Sequence, residues 1–571
     1  MTSLEEKSIE LKKLVSTYET SWFLGDLAKV MKAGPERAND QLGQLSSPQR
    51  QLYYLGGLLI SSDPSNGKDI LFTHEKWAEI VRLLNEVESE YDQLFFPKEG
   101  EEIDENWKKI RAVAMPSFLA YFNQGPLNYE EQTISWIEDV YSKLDDHIEK
   151  ETSLRTNDFL KFYDVIDTLV QDKFQGFTSP KTGKFKKEWL AFTDLQMGPP
   201  DDVPDFIKEG VEENRPLFTF MADQGIINRF YADDIVTKDL PLDKIQKLLA
   251  IFTYSRTQTD FLYYTQTKPG NPLYDNPIFD IGNGRFQIFE VKQLLHAIEN
   301  FLENTCSRPQ HIATKLVDQK GTVLEDKIEE MFKRYFGDEC KIFRGYFVDG
   351  NEQDLLILWK EYAFIIEAKG YSLREPLRDP ERAFIRIKDD FNSSIGYGHG
   401  QTKRVAQKFI DQVPLKIQDE KGRIIETIDT TKYKDNDFSI IVTLKSFGQV
   451  QNNLETLLIV AEDEVYPYAV RWDDLEIFLL TLIAQKRSKV EFVDYLLLRE
   501  DLHGKLICSD ESEVMGGFIT NHITPKIVKE NAMIVTSPDL ADVFDKQYNK
   551  GMGFKNEKLL YEKTSGKYLF W

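Results

Sequence analysis

Residues 351–370 read NEQDLLILWKEYAFIIEAKG, two apolar runs that are each too short for a helix and are separated by little more than a turn. Such a pair predicts two strands of a tight hairpin. With the turn centred between Lys360 and Glu361, Leu358 faces Ala363, Leu356 faces Ile365 and Asp354 faces Glu367. Directly opposed side chains in an antiparallel pair lie ~5 Å apart at Cβ, where like charges destabilise. Because side chains alternate along a strand, Lys369 projects to the same side as Glu367, and Ala368 to the other. An acidic pair on a buried hairpin calls for a cation, and both a divalent ion and the Lys369 ammonium would meet that need.

The flanks predict an α/β order. Residues 321–336 (GTVLEDKIEEMFKRYF) form an expected helix with Thr322 as N-cap and Leu324, Ile328, Met331 and Tyr335 on one face. Residues 341–348 are an expected strand ahead of the hairpin. After it, residues 371–380 are interrupted by two prolines, Asp379 caps a helix with Pro380 at its first position, residues 392–400 (NSSIGYGHG) read as a loop, and 401–413 as a further helix. Strands are expected at 438–444, 457–461 and 468–471, followed by a helix at 473–483.

Glu325 on the first helix, Asp354 on the second strand, Glu367-Ala368-Lys369 on the third and Gln401 on the following helix together resemble the PD-(D/E)xK phosphodiesterase superfamily. Within it, the helix start at 321–325 and the QDLLIL and IIEAKG runs look like the nuclease-related and restriction-endonuclease-like branches. The resemblance covers roughly residues 321–472, and Gln353 stands where the motif name has proline. It implies that Asp354, Glu367 and the backbone carbonyl of Ala368 hold Mg²⁺, with Mn²⁺ as a substitute and Glu325 as a further ligand. Lys369 would then activate or orient the attacking water, and Gln401 would orient the site. The chemistry agrees independently, since Mg²⁺ takes hard carboxylate oxygens while keeping several waters. Such an ion neutralises the acidic pair, polarises a phosphodiester and lowers the pKa of a bound water, while an ammonium on the same face stabilises the charge that builds on phosphorus oxygens.

Each residue also has a structural reading. Glu-x-Lys occurs by chance in many chains, but central buried strands rarely carry unpaired acids. Glu325 sits where a capping box needs it, with Glu329 one turn later as the alternative helix-borne acid. Gln401, Arg404 and Lys408 fit a solvated helix face as well as a phosphate-touching one. Arg382 and Arg386 share a face and suit phosphate contacts or plain exposure.

A net charge of −24 is awkward for a nucleic-acid enzyme, yet roughly 17 of the 24 excess negative charges lie in residues 1–300, whereas 367–410 is slightly basic. Three cysteines without a CxxC spacing and seven scattered histidines argue against a zinc site, a disulfide framework and histidine-based metal chemistry. Neither a phosphate-binding GxxxxGK[ST] loop nor a helix-turn-helix or zinc-finger pattern is present. The absence of a run of ~18 apolar residues and of a signal-peptide core predicts a cytoplasmic chain without a membrane partner.

Residues 1–260 predict a mainly helical regulatory or partner-binding region, with helical periodicity at 9–27, 49–59, 76–94, 134–147 and 159–173 and loops at 61–68, 179–187 and 198–205. Residues 261–320 predict a hairpin around Gly282-Asn283-Gly284, an amphipathic helix and a polar connector over 306–320. The nuclease-like domain is expected at 321–485, and 486–571 as a mixed C-terminal segment. The expected fold class is thus α+β/α, a large helical N-terminal region followed by a restriction-endonuclease-like α/β core whose mixed sheet is flanked by helices. The expected function is a Mg²⁺-dependent endonuclease acting on nucleic acid, DNA rather than RNA, restrained by the N-terminal region, a protein partner or oligomerisation. The family resemblance and the large appended region together imply a role in prokaryotic antiviral defence. The rival is a catalytically silent nuclease fold kept as a scaffold or nucleic-acid-binding module.

Overall fold

The structure, a computed structural model, describes residues 2–32, 45–70, 73–123, 128–178, 223–371, 373–462, 464–555 and 557. The expected loops at 179–187 and 198–205 lie outside them. Eight helices fill the described part of the chain up to residue 178: α1 (Ser3–Ser16), α2 (Thr20–Lys32), α3 (Pro48–Ile60), α4 (His74–Asp92), α5 (Glu105–Asn123), α6 (Glu130–Tyr141), α7 (Asp145–Thr152) and α8 (Thr156–Thr178). The chain gathers into two compact units, one of Met1–Gln93 and Thr133–Ala313, the other of Leu94–Gln132 and Thr314–Gly566. Residues 94–132, placed by sequence in the N-terminal region, therefore belong with the second unit.

In the first unit the single helical run expected at 9–27 is two helices. Arg256 explains the break, its guanidinium donating to the carbonyls of Ser16 (2.7 Å) and Tyr18 (2.8 Å) at the end of α1 and just beyond it. This helical unit also holds a four-stranded sheet, ordered β1 (Arg229–Tyr231), β4 (Arg285–Ile288), β3 (Ile278–Gly282) and β2 (Thr253–Tyr254). The β3–β4 hairpin turns through Gly282, Asn283 and Gly284, all at positive φ, as the Gly-Asn-Gly sequence requires. Helix α9 (Leu242–Phe252) precedes β2, and α10 (Val291–Ser307) follows β4.

Helix α11 runs Gln310–Phe336, so the expected connector at 306–320 is largely helix, and Thr322 is not an N-cap. Its hydroxyl instead donates back to the Asp318 carbonyl, 3.0 Å away, inside the helix. Local sequence offered a capping box, but no proline separates residues 310–320 from the periodic stretch that follows, and the helix runs through Gly321.

The second unit is built on a seven-stranded mixed sheet. It comprises β5 (Cys340–Val348), β6 (Asn351–Trp359), β7 (Tyr362–Lys369), β8 (Leu415–Gln418), β9 (Ile424–Ile428), β10 (Asp437–Thr443) and β11 (Tyr468–Arg471), in the order β11-β10-β7-β6-β5-β8-β9. Strands β7, β10 and β11 are parallel and the remaining pairs antiparallel. The β6–β7 register is the expected one, with Leu358 opposite Ala363 and Leu356 opposite Ile365. Lys360 takes the positive φ (+52°) at the turn. Strands β8 and β9 were not legible because both are short and β9, at the sheet edge, leaves Ile424 and Ile425 exposed, so no buried alternation marks it. The strand expected at 457–461 does not form, since β11 occupies the free edge of β10 and Ile459 is left 92% exposed.

Both faces of the central hairpin are covered. Leu356, Leu358, Ala363 and Ile365 pack with Val405 and Phe409 of α13 (Tyr397–Ile410), while Trp359 and Phe364 stack on Phe336 of α11 at 4.7 and 5.2 Å between ring centroids. Leu355, Leu356, Ile357, Ile365 and Ile366 are fully buried, each contributing about 1.5–3 kcal/mol relative to exposure. Helix α12 (Pro380–Phe391) starts as expected, the Asp379 side chain accepting from the Arg382 amide at 2.9 Å. The loop expected at 392–400 is a π-helical turn, Asn392–Gly396, that runs directly into α13. Helices α14 (Trp472–Ala484), α15 (Val490–Glu500) and α16 (Glu511–Ile519) follow the sheet. Among the described residues no helix is long and apolar enough to cross a membrane.

Candidate active site

The β6–β7 ladder ends at Leu355–Ile366, one pair short of the two acids. Asp354 and Glu367 are therefore not a closed ladder pair; each carboxylate instead accepts a backbone N–H from the opposite strand. The Ala368 amide donates to Asp354 Oδ2 at 2.7 Å, and the Asp354 amide to Glu367 Oε1 at 3.3 Å. Lys369 Nζ donates to Glu367 Oε2 at 2.8 Å and stands 3.6 Å from Asp354 Oδ2. Three charged groups thus converge where the strands part, with one ammonium shared between two carboxylates.

Their environments differ. The Glu367 side chain is fully buried, whereas that of Asp354 is 20% exposed. Burial, then the Asp354 charge, pushes the Glu367 carboxyl up to about 8, with Lys369 opposing. On the β5 side, Gly345 is the residue that the register brings opposite Asp354, at φ +55°, and a Cβ there would meet nothing within 4 Å. Asp354 is thereby left accessible beside a buried partner.

Glu325 stands in the middle of α11, freed from any capping role. Arg344 on β5 donates through Nε to Glu325 Oε2 at 3.1 Å and also pairs with Asp326 and Glu329. Burial first, and then the Asp354 charge, raise the Glu325 pKa, with Arg344 opposing. Glu325 is therefore an electrostatic neighbour of the acidic pair, tied down by an arginine that sequence reasoning did not single out.

No protein-family model, no curated protein and no solved structure matches the chain.

Helix α13 meets the end of β7 at its first turn. A Cβ on Gly398 would stand 3.1 Å from Lys369 Cε and 3.2 Å from Ile441 Cγ2, so this close approach suits glycine. Gln401 lies one turn further on, its Oε1 buried without a hydrogen-bond partner. No hydrogen bond links Gln401 to the acids. Arg382 is exposed and Arg386 half-buried on α12, neither bonded to the carboxylates. Lys408 is held by Asp349 at 2.7 Å, and Arg404 makes no ion pair among the described residues. Asp354, Glu367, Ala368 and Lys369 are thus brought together, Glu325 is adjacent, and the four basic residues lie on the two helices that follow β7.

Tyr346 was also missed. It is 2% exposed, its hydroxyl has no hydrogen-bond partner among the described residues, and burial, then Glu367 and Asp354, push its pKa well above the usual phenol value. A tyrosine in an apolar strand run gives no sequence signal of such a neighbour.

Among the described residues no three His, Cys, Asp or Glu side chains form a metal-binding group. The available donors are two carboxylates and the Ala368 carbonyl, all hard oxygens. That set fits an ion that keeps most of its waters, as Mg²⁺ does, and does not fit one needing a full protein cage. The strained proton affinity of Glu367 points the same way, since a divalent cation would relieve it.

Proposed function

We propose that this chain is a Mg²⁺-dependent endonuclease with a restriction-endonuclease-like core, Mn²⁺ serving as a substitute. The observation that carries the proposal is the convergence of Asp354, Glu367 and Lys369 where two central strands separate, with one ammonium between two acids. The site also lies at the carboxyl ends of the parallel strands β7 and β10, where open α/β sheets bind ligands. In this reading Asp354, Glu367 and the Ala368 carbonyl would hold the ion, which supplies a polarised phosphodiester and an acidified water when bound. Lys369 keeps the acids together and presents positive charge to the oxygens of the scissile phosphate. Glu325 stands behind Asp354 as an outer acid, and Arg344 holds it there. Gln401, Arg404 and Lys408 on α13, with Arg382 and Arg386 on α12, offer polar contacts to the nucleic-acid backbone. DNA is preferred to RNA on the family resemblance alone. The acidic N-terminal half suits restraint or the docking of a protein partner better than phosphate binding, and prokaryotic antiviral defence is the setting that resemblance suggests.

The test is to incubate the full chain with plasmid and with single-stranded DNA in Mg²⁺, Mn²⁺ and EDTA. Metal-dependent cleavage lost in Asp354→Asn is the expected outcome. A silent binding module is favoured by one observation, that Lys369 and Lys408 already have acidic partners within the fold. Nucleic-acid binding without cleavage under every metal condition would establish that alternative.

A further inference from the structure

Tyr397, Gln401, Arg404 and Lys408 recur at helical spacing along one stripe of α13, beside the buried face formed by Gly398, Thr402, Val405 and Phe409. Tyr397 is 63% exposed, an unusual place for so large an aromatic side chain. Lys369 Nζ lies 5.7 Å from its ring centroid, and most of the ring remains open. The Gly398 contact with Lys369 fixes this first turn of the helix against the end of β7. One turn on, Gln401 presents a buried amide oxygen and Arg404 a half-buried guanidinium, neither with a partner among the described residues. At 1.5 Å per residue, Arg404 and Lys408 lie about 10 and 16 Å along the helix from Tyr397.

An aromatic ring beside the reacting centre, followed by cations along one face, is the combination that tracks an unpaired strand. Bases stack on the ring and phosphates meet the cations. Bases within an intact duplex are stacked on both faces and closed to such a ring. Resting on the nuclease reading above, we propose that this stripe guides a single strand into the site, the base beside the scissile phosphate stacking on Tyr397 and the backbone running toward Arg404 and Lys408. The substrate class is then DNA with unpaired bases at the cut (single strands, flaps or frayed ends) rather than continuous duplex.

The experiment uses the full chain in EDTA with a fluorescent single-stranded oligodeoxynucleotide carrying 2-aminopurine, its duplex and the matching RNA. Wild type is expected to bind the single strand more tightly than the duplex and to quench the 2-aminopurine. Tyr397→Phe should match it, and Tyr397→Ala should weaken single-strand binding by about 5- to 100-fold while leaving the duplex unchanged. Arg404→Gln should reduce the dependence of log affinity on log salt by about one unit or less. Equal binding of duplex and single strand, or an unchanged Tyr397→Ala, would overturn the guide, as would tighter binding of RNA by a surface indifferent to Tyr397. Cleavage of plasmid in Mg²⁺ is read separately. If cleavage persists without a Tyr397 effect, only the guide falls; if stacking persists without cleavage by any metal, the nuclease reading falls and the stripe stands as a binding surface.

Discussion

Two of the buried glutamates of the second unit carry opposite lessons. Glu511 on α16 is 3% exposed and is matched one to one with Arg499, 2.8 Å from Nε, with the Tyr495 hydroxyl donating to the same oxygen. The other arginine arm, Nη2, donates to the Asn452 carbonyl at 2.8 Å. Glu367 is buried as completely, yet it shares its one ammonium with a second acid. A matched buried pair balances its charge within the fold, whereas two acids on one ammonium leave the buried one, Glu367, holding a proton that a cation can displace. Charge count, more than burial, separates scaffold from candidate site.

The largest expected difference lies in activity. Asp354→Asn should lower the cleavage rate by about a thousandfold or more, ~4 kcal/mol in barrier height, while leaving metal-free stability unchanged or raised because it relieves the acidic pair. Full activity in that variant would show the site to be misplaced.

Next in size, Arg499→Ala should cost about 3 kcal/mol in urea denaturation by stranding Glu511, with partial recovery when Glu511→Gln is added. Lys369→Ala should cost less, because Glu367 can answer the loss by holding a proton. If the two losses are equal, the contrast between the clusters is wrong.

A third measurement is pH dependence. Glu367 titrates near 4.5 when unfolded and is pushed up to about 8 when folded. The native state therefore retains a proton that the unfolded chain has released. Its stabilising contribution is complete below about pH 4.5 and declines as pH rises toward 8, with no further change above. Because a divalent ion needs the ionised carboxylate, the rise in Tm on adding Mg²⁺ should grow over the same interval. A Mg²⁺ effect independent of pH from 5 to 9 would count against Glu367 as a ligand.

The smallest expected effect is at Gly398. An alanine there must push on Lys369 and Ile441 by a few tenths of an ångström, and kcat should fall several-fold with the fold intact. Unchanged kinetics would mean that Lys369 needs no support from α13.

The hairpin was legible because two apolar runs joined by a two-residue turn leave one register, and an off-by-one slip would put Asp354 and Glu367 on opposite faces. The cap at Asp379 was legible for the same reason, local geometry imposed by local sequence. Elsewhere the deciding contacts are distant in the chain. Arg256 breaks α1 from α2, Arg344 claims Glu325, and β11 takes the edge that the apolarity of residues 457–461 alone suits. Helix α5 went unrecognised because Pro116 lies inside it. Tyr346 and Tyr397 gave no sign, since nothing in sequence tells a tyrosine that fills a core from one that lies beside an acid or an ammonium.

The π-helical turn at Asn392–Gly396 has a consequence for how such a site changes over evolutionary time. One residue added to or removed from a helix rotates everything downstream by about 100°. The π turn takes up one extra residue and so holds the facing of α13; were Asn392–Gly396 to close as plain α-helix with no residue lost, Tyr397, Gln401 and Arg404 would swing away from Lys369. Asp354 and Glu367, anchored on strands, would stay where they are. The acids thus sit on strands and the aromatic and basic stripe on a helix whose facing one turn sets, so a change in that turn moves the second without touching the first.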